Sequence, residues 1–383
     1  MEEYIWFATT VTGLEDVATK EIEELTNVEA EPDVGKVFFK GSLEDAAIVN
    51  YSSRIVNRVF LLLARGPVST LDDVYKIARS IDYREYVNPT QSFAVKAERQ
   101  SKQLPFTSMD AAAKVGSAVI ESFREKTSVR LKVNLDNPDV EFYCLLRDSE
   151  MLLGLNITGQ SLHRRYYRVF HHRATLQPTI ASAMIEISKW KGEDMLDPMC
   201  GSGTIPIEAA IRLRKIPPGL MKNRLNKLKM ENLKIFTEEI LEKARGKVLG
   251  RMELWRNAKI VGSDVSHKNV VGALKNVEAA EVQDIVRLLT GDIFKMDEWL
   301  DFTPSIIITN PPYGIRMGIS NIEEFYRKFI KTIKKTVPDA KITIIISKPT
   351  LFTKILIEEN YTVTHKREIM YGRLRTSILT AQR

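Results

Sequence analysis

Four consecutive residues, Asn310-Pro311-Pro312-Tyr313, follow the apolar run Ser305-Ile306-Ile307-Ile308-Thr309, the pattern of a buried parallel strand with a loop at its carboxyl end. Open α/β sheets place their chemistry at that edge. The Asn310 amide oxygen and the backbone carbonyl of Pro311 are both acceptors. Two acceptors aimed at one spot suit an exocyclic amine whose two hydrogens must be held. Pro312 stiffens the loop, and Tyr313 offers a flat face on which a base can stack.

A second cluster, Asp197-Pro198-Met199-Cys200-Gly201-Ser202-Gly203-Thr204, lies between a strand end and a helix start. Gly201 and Gly203 let the backbone turn tightly and approach a ligand with no Cβ in the way. Asp264 closes the next strand, Val261-Gly262-Ser263-Asp264, and suits the paired hydroxyls of a ribose. Gly291-Asp292-Ile293 ends a third strand with a carboxylate placed to meet an adenine amine. Asp197, Cys200, Gly201, Ser202, Gly203, Thr204, Asp264 and Asp292 are therefore the candidate nucleoside-binding residues. The pattern also fits a dinucleotide enzyme. Against that, Pro206 stands where the third glycine of G-x-G-x-x-G would fall, and the fourth strand ends in Asn-Pro-Pro-Tyr.

The elements that must hold these residues follow from periodicity. From residue 174 onward, strand-like runs over 194–197, 258–264, 285–292, 305–309 and 341–347 alternate with helical spacing over 179–190, 204–214, 267–279 and 322–337. The last two strand-like stretches, 362–370 and 375–381, are separated by a few residues around Tyr371-Gly372. That spacing predicts a hairpin and at least one antiparallel strand in an otherwise parallel sheet. The first 158 residues read as α+β, with Gly66-Pro67 dividing a unit at 1–66 from another at 67–158.

Between the halves, residues 159–173 hold three of the five histidines together with Arg164, Arg165, Arg168 and Arg173. Guanidinium groups pair with phosphates and aromatic faces stack on bases, so these arginines are candidate RNA contacts. Tyr166, Tyr167 and Phe170 suit either stacking or a core. A basic insertion between Arg212 and Arg256 offers a further candidate surface, with its later part helical.

Composition adds bounds. A chain of 383 residues implies two or three domains, and 44% hydrophobic residues is ordinary for a globular protein. No run is long enough to span a membrane, and the start lacks the charged and apolar regions of a signal peptide, so a cytoplasmic location is expected. Cys144 and Cys200 have no CxxC spacing, which supports neither a disulfide nor a metal site. The net charge of +7 permits a polyanionic partner.

With these motifs in order, residues 174–383 resemble a class I S-adenosyl-L-methionine-dependent methyltransferase of the amino-methylating kind. The resemblance implies a Rossmann-like α/β domain with a seven-stranded, mostly parallel sheet and an antiparallel terminal strand. It places Asp197, Gly201 and Gly203 at the methionine moiety, Asp264 at the ribose and Asp292 at the adenine. Asn310, Pro311, Pro312 and Tyr313 match the catalytic motif.

The front half resembles a THUMP domain preceded by a ferredoxin-like subdomain. That likeness rests on Ser92-Phe93-Ala94-Val95-Lys96-Ala97-Glu98-Arg99, on the helix at 108–123, and on Gly154-Leu155-Asn156-Ile157-Thr158-Gly159. Together the halves resemble the THUMP family of tRNA guanine-N2-methyltransferases, in particular those acting at position 6. Implied are S-adenosyl-L-methionine as cofactor and tRNA, held at its acceptor stem and 3′ end, as partner, with no membrane and no obligatory protein partner. Family members that dimethylate guanosine 10 typically have Asp where Asn310 stands. Alternatives are a ribosomal RNA guanine, an RNA-binding module with an inactive methyltransferase fold, adenine-N6 or glutamine-N5 methylation, and a nicotinamide-dependent oxidoreductase.

Overall fold

The computed structural model describes residues 2–100, 103–171, 175–223, 228–312, 321–372 and 374–383. Two sheets organise them. The first contains β1 (Tyr4–Thr9), β2 (Ala30–Asp33), β3 (Lys36–Gly41), β4 (Arg58–Pro67), β5 (Ser92–Arg99), β6 (Lys132–Val133), β7 (Val140–Arg147) and β8 (Glu150–Asn156). Its strand order is β2-β3-β1-β4-β8-β7-β5-β6. Trp6 and Ala8 alternate with Phe7, as the two-residue period requires, and face a core shared with the helices Glu15–Thr26, Leu43–Ser52, Leu71–Arg79 and Ser108–Thr127. Three of these helices start with a capping box, Ser42 with Asp45, Thr70 with Asp73, and Thr107 with Asp110.

The Gly66-Pro67 punctuation does not break this sheet. β4 runs through it and pairs with β1 on one side and β8 on the other, so the two N-terminal units share one sheet. β2 was not expected, because Ala-Glu-Pro-Asp has poor strand propensity. It forms at an edge, where proline costs no ladder hydrogen bond.

The second sheet holds β9 (Met195–Asp197), β10 (Ile260–Asp264), β11 (Val286–Thr290), β12 (Ile306–Thr309), β13 (Lys341–Ile346), β14 (Thr362–Tyr371) and β15 (Leu374–Gln382), in the order β11-β10-β9-β12-β13-β15-β14. All pairings are parallel except those of β15, which is antiparallel to both β13 and β14. The predicted hairpin is present, and its second strand lies inside the first. The order reverses between β9 and β12, which opens a crevice at their carboxyl ends. A helix at Pro349–Glu358 was not anticipated from the sequence; proline at its first turn suits a helix start.

The later part of the basic insertion belongs structurally to the front half, whereas Ile216 and Met221 at its start join the core of the second sheet. Leu228, Met230, Leu233, Phe236, Leu241, Ala244 and Val248 join the core of the first sheet. Lys243 and Lys247 both pair with Glu44, and Arg245 pairs with Glu231 and Glu238. These cations of the helix Glu238–Gly250 are thus paired with carboxylates of the front half and of the insertion itself. Residues 224–227 of the same insertion lie outside the described residues.

A second tie joins the halves at the other end of the chain. Gly13 has φ +97°, and a Cβ there would sit 2.2 Å from the Glu368 carbonyl oxygen. Met370 N donates to Thr12 O at 3.0 Å, and Arg367 pairs with Asp16.

Candidate active site

At the crevice between β9 and β12 lies a cavity of about 520 Å³, within the range of small-molecule sites. Asp197, Cys200, Gly201, Ser202, Thr204, Asp264, Asp292, Asn310, Pro311 and Pro312 all line it, so residues more than a hundred positions apart meet there. Gly203 does not line the cavity. With φ +78° it turns the chain into the helix Thr204–Leu213, and Gly201 is also left-handed, at φ +54°. Tyr313 lies outside the described residues.

Each carboxylate is held differently. Asp197 is fully buried; its Oδ1 accepts from Thr309 Oγ1 at 2.7 Å and from Met199 N at 3.2 Å. Thr309 ends β12, so this bond closes the crevice floor across the point where the strand order reverses. Burial pushes the Asp197 carboxyl up to about 7, with the nearby Asp264 charge adding to the rise and the two hydrogen bonds opposing it.

Asp264 accepts from Gly201 N at 3.1 Å through Oδ2, and from Ser266 N at 2.9 Å and Asn269 Nδ2 at 3.1 Å through Oδ1. It thereby holds the glycine loop with one oxygen. Asp292 Oδ1 accepts from Phe294 N at 2.9 Å. Gly291 is obligatory beside it, since a Cβ there would lie 2.7 Å from the Trp299 ring, whose Nε1 donates to Asp292 O.

Burial raises the Cys200 thiol well above its usual range, with the charges of Asp197 and Asp264 adding to the effect. A thiol so placed stays protonated and is no nucleophile.

Sequence reasoning missed Phe294 and Phe325, which line the cavity and meet edge to face at 5.5 Å. It also missed Asn269, five residues beyond Asp264. A polar residue in the first turn after an acidic strand end is the signal that could have found it.

The linker arginines divide. Arg164 is exposed, as an RNA contact requires. Arg165 is not: it is buried against Glu208, with Nε to Oε1 at 2.8 Å and Nη2 to Oε2 at 3.0 Å, and it donates to the carbonyls of Leu162 and Arg54. Its assignment to RNA is corrected, because a guanidinium with four internal bonds and no exposure cannot reach a phosphate. Arg168 is half-buried and donates to Leu176 O and to Thr204 Oγ1, so it braces the cavity wall. Arg173 lies outside the described residues. Tyr167 is buried, with its hydroxyl donating to Glu208 at 2.8 Å, and so is core.

Two outcomes follow from this geometry. For Asp197 the folded-state pKa lies above the ordinary 3.8. Between the two values the native protein keeps a proton that the unfolded chain has lost, so stability falls as pH rises through that window. Thermal melts of ligand-free protein should therefore decline from about pH 4 to about pH 7 more steeply in the wild type than in Asp197→Asn; parallel curves would exclude Asp197 as the group. For Gly262, an added Cβ would lie 2.7 Å from Leu288 Cδ2 and 3.1 Å from Cys200 Cβ and Pro206 Cγ. Gly262→Ala is expected to cost about 1–3 kcal/mol by overpacking and to weaken ligand binding by displacing Cys200 and the glycine loop. Denaturant titration and calorimetry check both.

A mostly parallel sheet with this strand order, a glycine loop after its first strand, an acidic residue ending the second, another two residues past the end of the third, and Asn-Pro-Pro after the fourth define a class I methyltransferase. Comparison with known families agrees. The RMKL-like methyltransferase domain matches residues 165–377, the THUMP domain residues 68–156, and the RlmL ferredoxin-like domain residues 6–60. The chain belongs to the RMKL-like methyltransferase family, with a THUMP domain in its front half.

It is 37% identical over 381 residues to a Methanocaldococcus jannaschii protein named tRNA (guanine(6)-N2)-methyltransferase, covering 97% of this chain and 98% of the relative. An Archaeoglobus fulgidus protein of the same name is 36% identical, over 98% of this chain and 91% of its own. Among solved structures, TrmN from Thermus thermophilus superposes with a TM-score of 0.74 at 24% identity, covering 99% of this chain and all of the other.

Proposed function

We propose that this protein is an S-adenosyl-L-methionine-dependent tRNA (guanine-N2)-methyltransferase acting on guanosine 6 of the acceptor stem. The observation that carries the reading is that Asn310 and Pro311 line the same cavity as the three strand-end carboxylates. The similarity to the two archaeal proteins along nearly the whole chain supports the substrate.

The residues fit the cofactor. Asp264, already fixed by three donors, has acceptor capacity left for ribose hydroxyls. Asp292, Ile293 and Phe294 supply an acidic edge and apolar faces for an adenine. Asp197, Gly201, Ser202 and Thr204 surround the place of the methionine portion. The cofactor, when bound, supplies an electrophilic methyl group on a sulfonium. A cation beside Asp197 favours its ionised form, so cofactor affinity should rise with pH as that carboxyl titrates.

Guanine N2 is a weak nucleophile because its lone pair is delocalised into the ring. Asn310 Oδ1 and the Pro311 carbonyl accept its two N–H bonds and turn the lone pair toward the methyl carbon. Pro312 limits the motion of that loop, and Tyr313 stacks on the base. With the cofactor bound, the part of these residues would be mainly to position N2 in line with the methyl–sulfur bond, which breaks as the sulfonium leaves as a neutral thioether. The proton leaves after the new bond forms, and Asp197 is a candidate to receive it. A stem nucleotide must first be extruded from its pair, at a cost of a few kcal/mol. Phosphate contacts from Arg164, Arg173 and the THUMP-containing half offset that cost and make binding strongly salt-dependent.

The test is incubation of unmodified tRNA transcripts with the protein and methyl-labelled cofactor, followed by nucleoside mass spectrometry and fragment mapping. Labelled N2-methylguanosine at position 6 is the expected product. Label in ribosomal RNA but not in tRNA would move the substrate, and cofactor binding without transfer to either would favour an inactive binding module.

A further inference from the structure

Asn276 lies in the third turn of the helix His267–Ala279, is 1% exposed, and uses both ends of its amide. Oδ1 accepts from Val169 N at 3.0 Å and from Phe170 N at 2.8 Å. Nδ2 donates to Phe170 O and to Ser202 O, both at 3.0 Å. Two acceptor and two donor bonds from one short side chain are what a primary amide alone provides. One turn earlier on the same helix face is Gly272, where a Cβ would lie 2.5 Å from the Phe170 ring. The linker is therefore seated on this helix by a ring and an amide together.

The other end of Asn276 reaches the glycine loop. Ser202 lines the cavity, whereas Asn276, Phe170 and Gly272 do not. The same helix begins at Ser266 and presents Asn269, both of which donate to Asp264. One helix thus holds the linker, the loop and the second carboxylate in a single arrangement.

We propose that Asn276 is a positioning residue for the cofactor: it sets the Gly201–Thr204 loop by tying Ser202 to the interdomain linker, so cofactor affinity depends on how that linker is seated. The inference rests on the cofactor assignment made above. Losing the amide leaves the Ser202 and Phe170 carbonyls and the Phe170 N–H without this partner, while Val169 N keeps its bond to Tyr167 O at 2.9 Å, and loop and linker loosen together.

The experiment titrates S-adenosyl-L-methionine and S-adenosylhomocysteine calorimetrically into full-length wild type, Asn276→Ala, Phe170→Ala and the double variant, without RNA and well below each melting temperature. Asn276→Ala should raise the cofactor Kd about tenfold, and Phe170→Ala should raise it less, in the same direction. The double variant should show less than the summed effect, because both changes act through one seat. At saturating cofactor, turnover on tRNA should return toward the wild-type value, a KM effect without a kcat effect. Folded variants that bind cofactor as the wild type does would overturn the inference. Should Asn276→Ala fail to fold, an unchanged Kd in Phe170→Ala would overturn it equally. Wild type that binds no cofactor would instead overturn the functional assignment itself.

Discussion

Asn310→Ala is expected to lower turnover by about 10²–10³-fold, the usual loss when one preorganised hydrogen-bonding group is removed from a reacting centre, while leaving cofactor affinity close to wild type. The separation follows from geometry: Asn310 is on β12's side of the crevice, whereas the glycine loop and Asp264 are on the side of β9 and β10. An interaction made with the reacting amine is lost from kcat, not from cofactor binding. Asn310→Asp keeps an acceptor at the same place and should retain part of the turnover. Single-turnover kinetics with tRNA and calorimetry with cofactor check the pair. Equal loss of turnover and of cofactor binding in Asn310→Ala would mean that the residue shapes the loop rather than holding the amine.

The second large effect is expected at the buried pair between Arg165 and Glu208. Glu208 accepts from Arg165, from Tyr167 OH at 2.8 Å and from Ser182 Oγ at 2.6 Å, while Arg165 also donates to the Arg54 carbonyl of the front half. Arg165→Leu strands a carboxylate beneath the linker. The expected loss is about 3–5 kcal/mol, against about 0–1 for an exposed pair. Arg165→Leu combined with Glu208→Leu should recover much of it, since the stranded charge is then gone. Denaturant midpoints measure both; a single-variant loss no larger than that of a surface pair would show that the site admits water.

The pair also explains why the linker was misread. A stretch rich in Arg, His and Tyr looks the same whether it faces phosphate or a buried carboxylate, and Glu208 is 43 positions away. Exposure is a property of the packed chain, so periodicity over a dozen residues could not separate Arg164 from Arg165. The insertion was opaque for the same reason. Leu241, Ala244 and Val248 mark an apolar helix face, but nothing local says that it covers the sheet of the other half.

The sequence by itself determined the catalytic half. Buried parallel strands read as apolar runs, their polar ends stand out by contrast, and positive φ at Gly201 and Gly203 is a demand that one residue type meets at little cost. Those signals are local, so Asp197, Asp264, Asp292 and Asn310 could be chosen before any coordinates. Only the tertiary structure decided how they are joined: the bond from Thr309 to Asp197, 112 positions apart, the seat of Phe170 on Gly272, and the single sheet shared by both front units. Each depends on surfaces brought together by burial of distant apolar residues, and burial at a distance leaves no periodic trace in the chain.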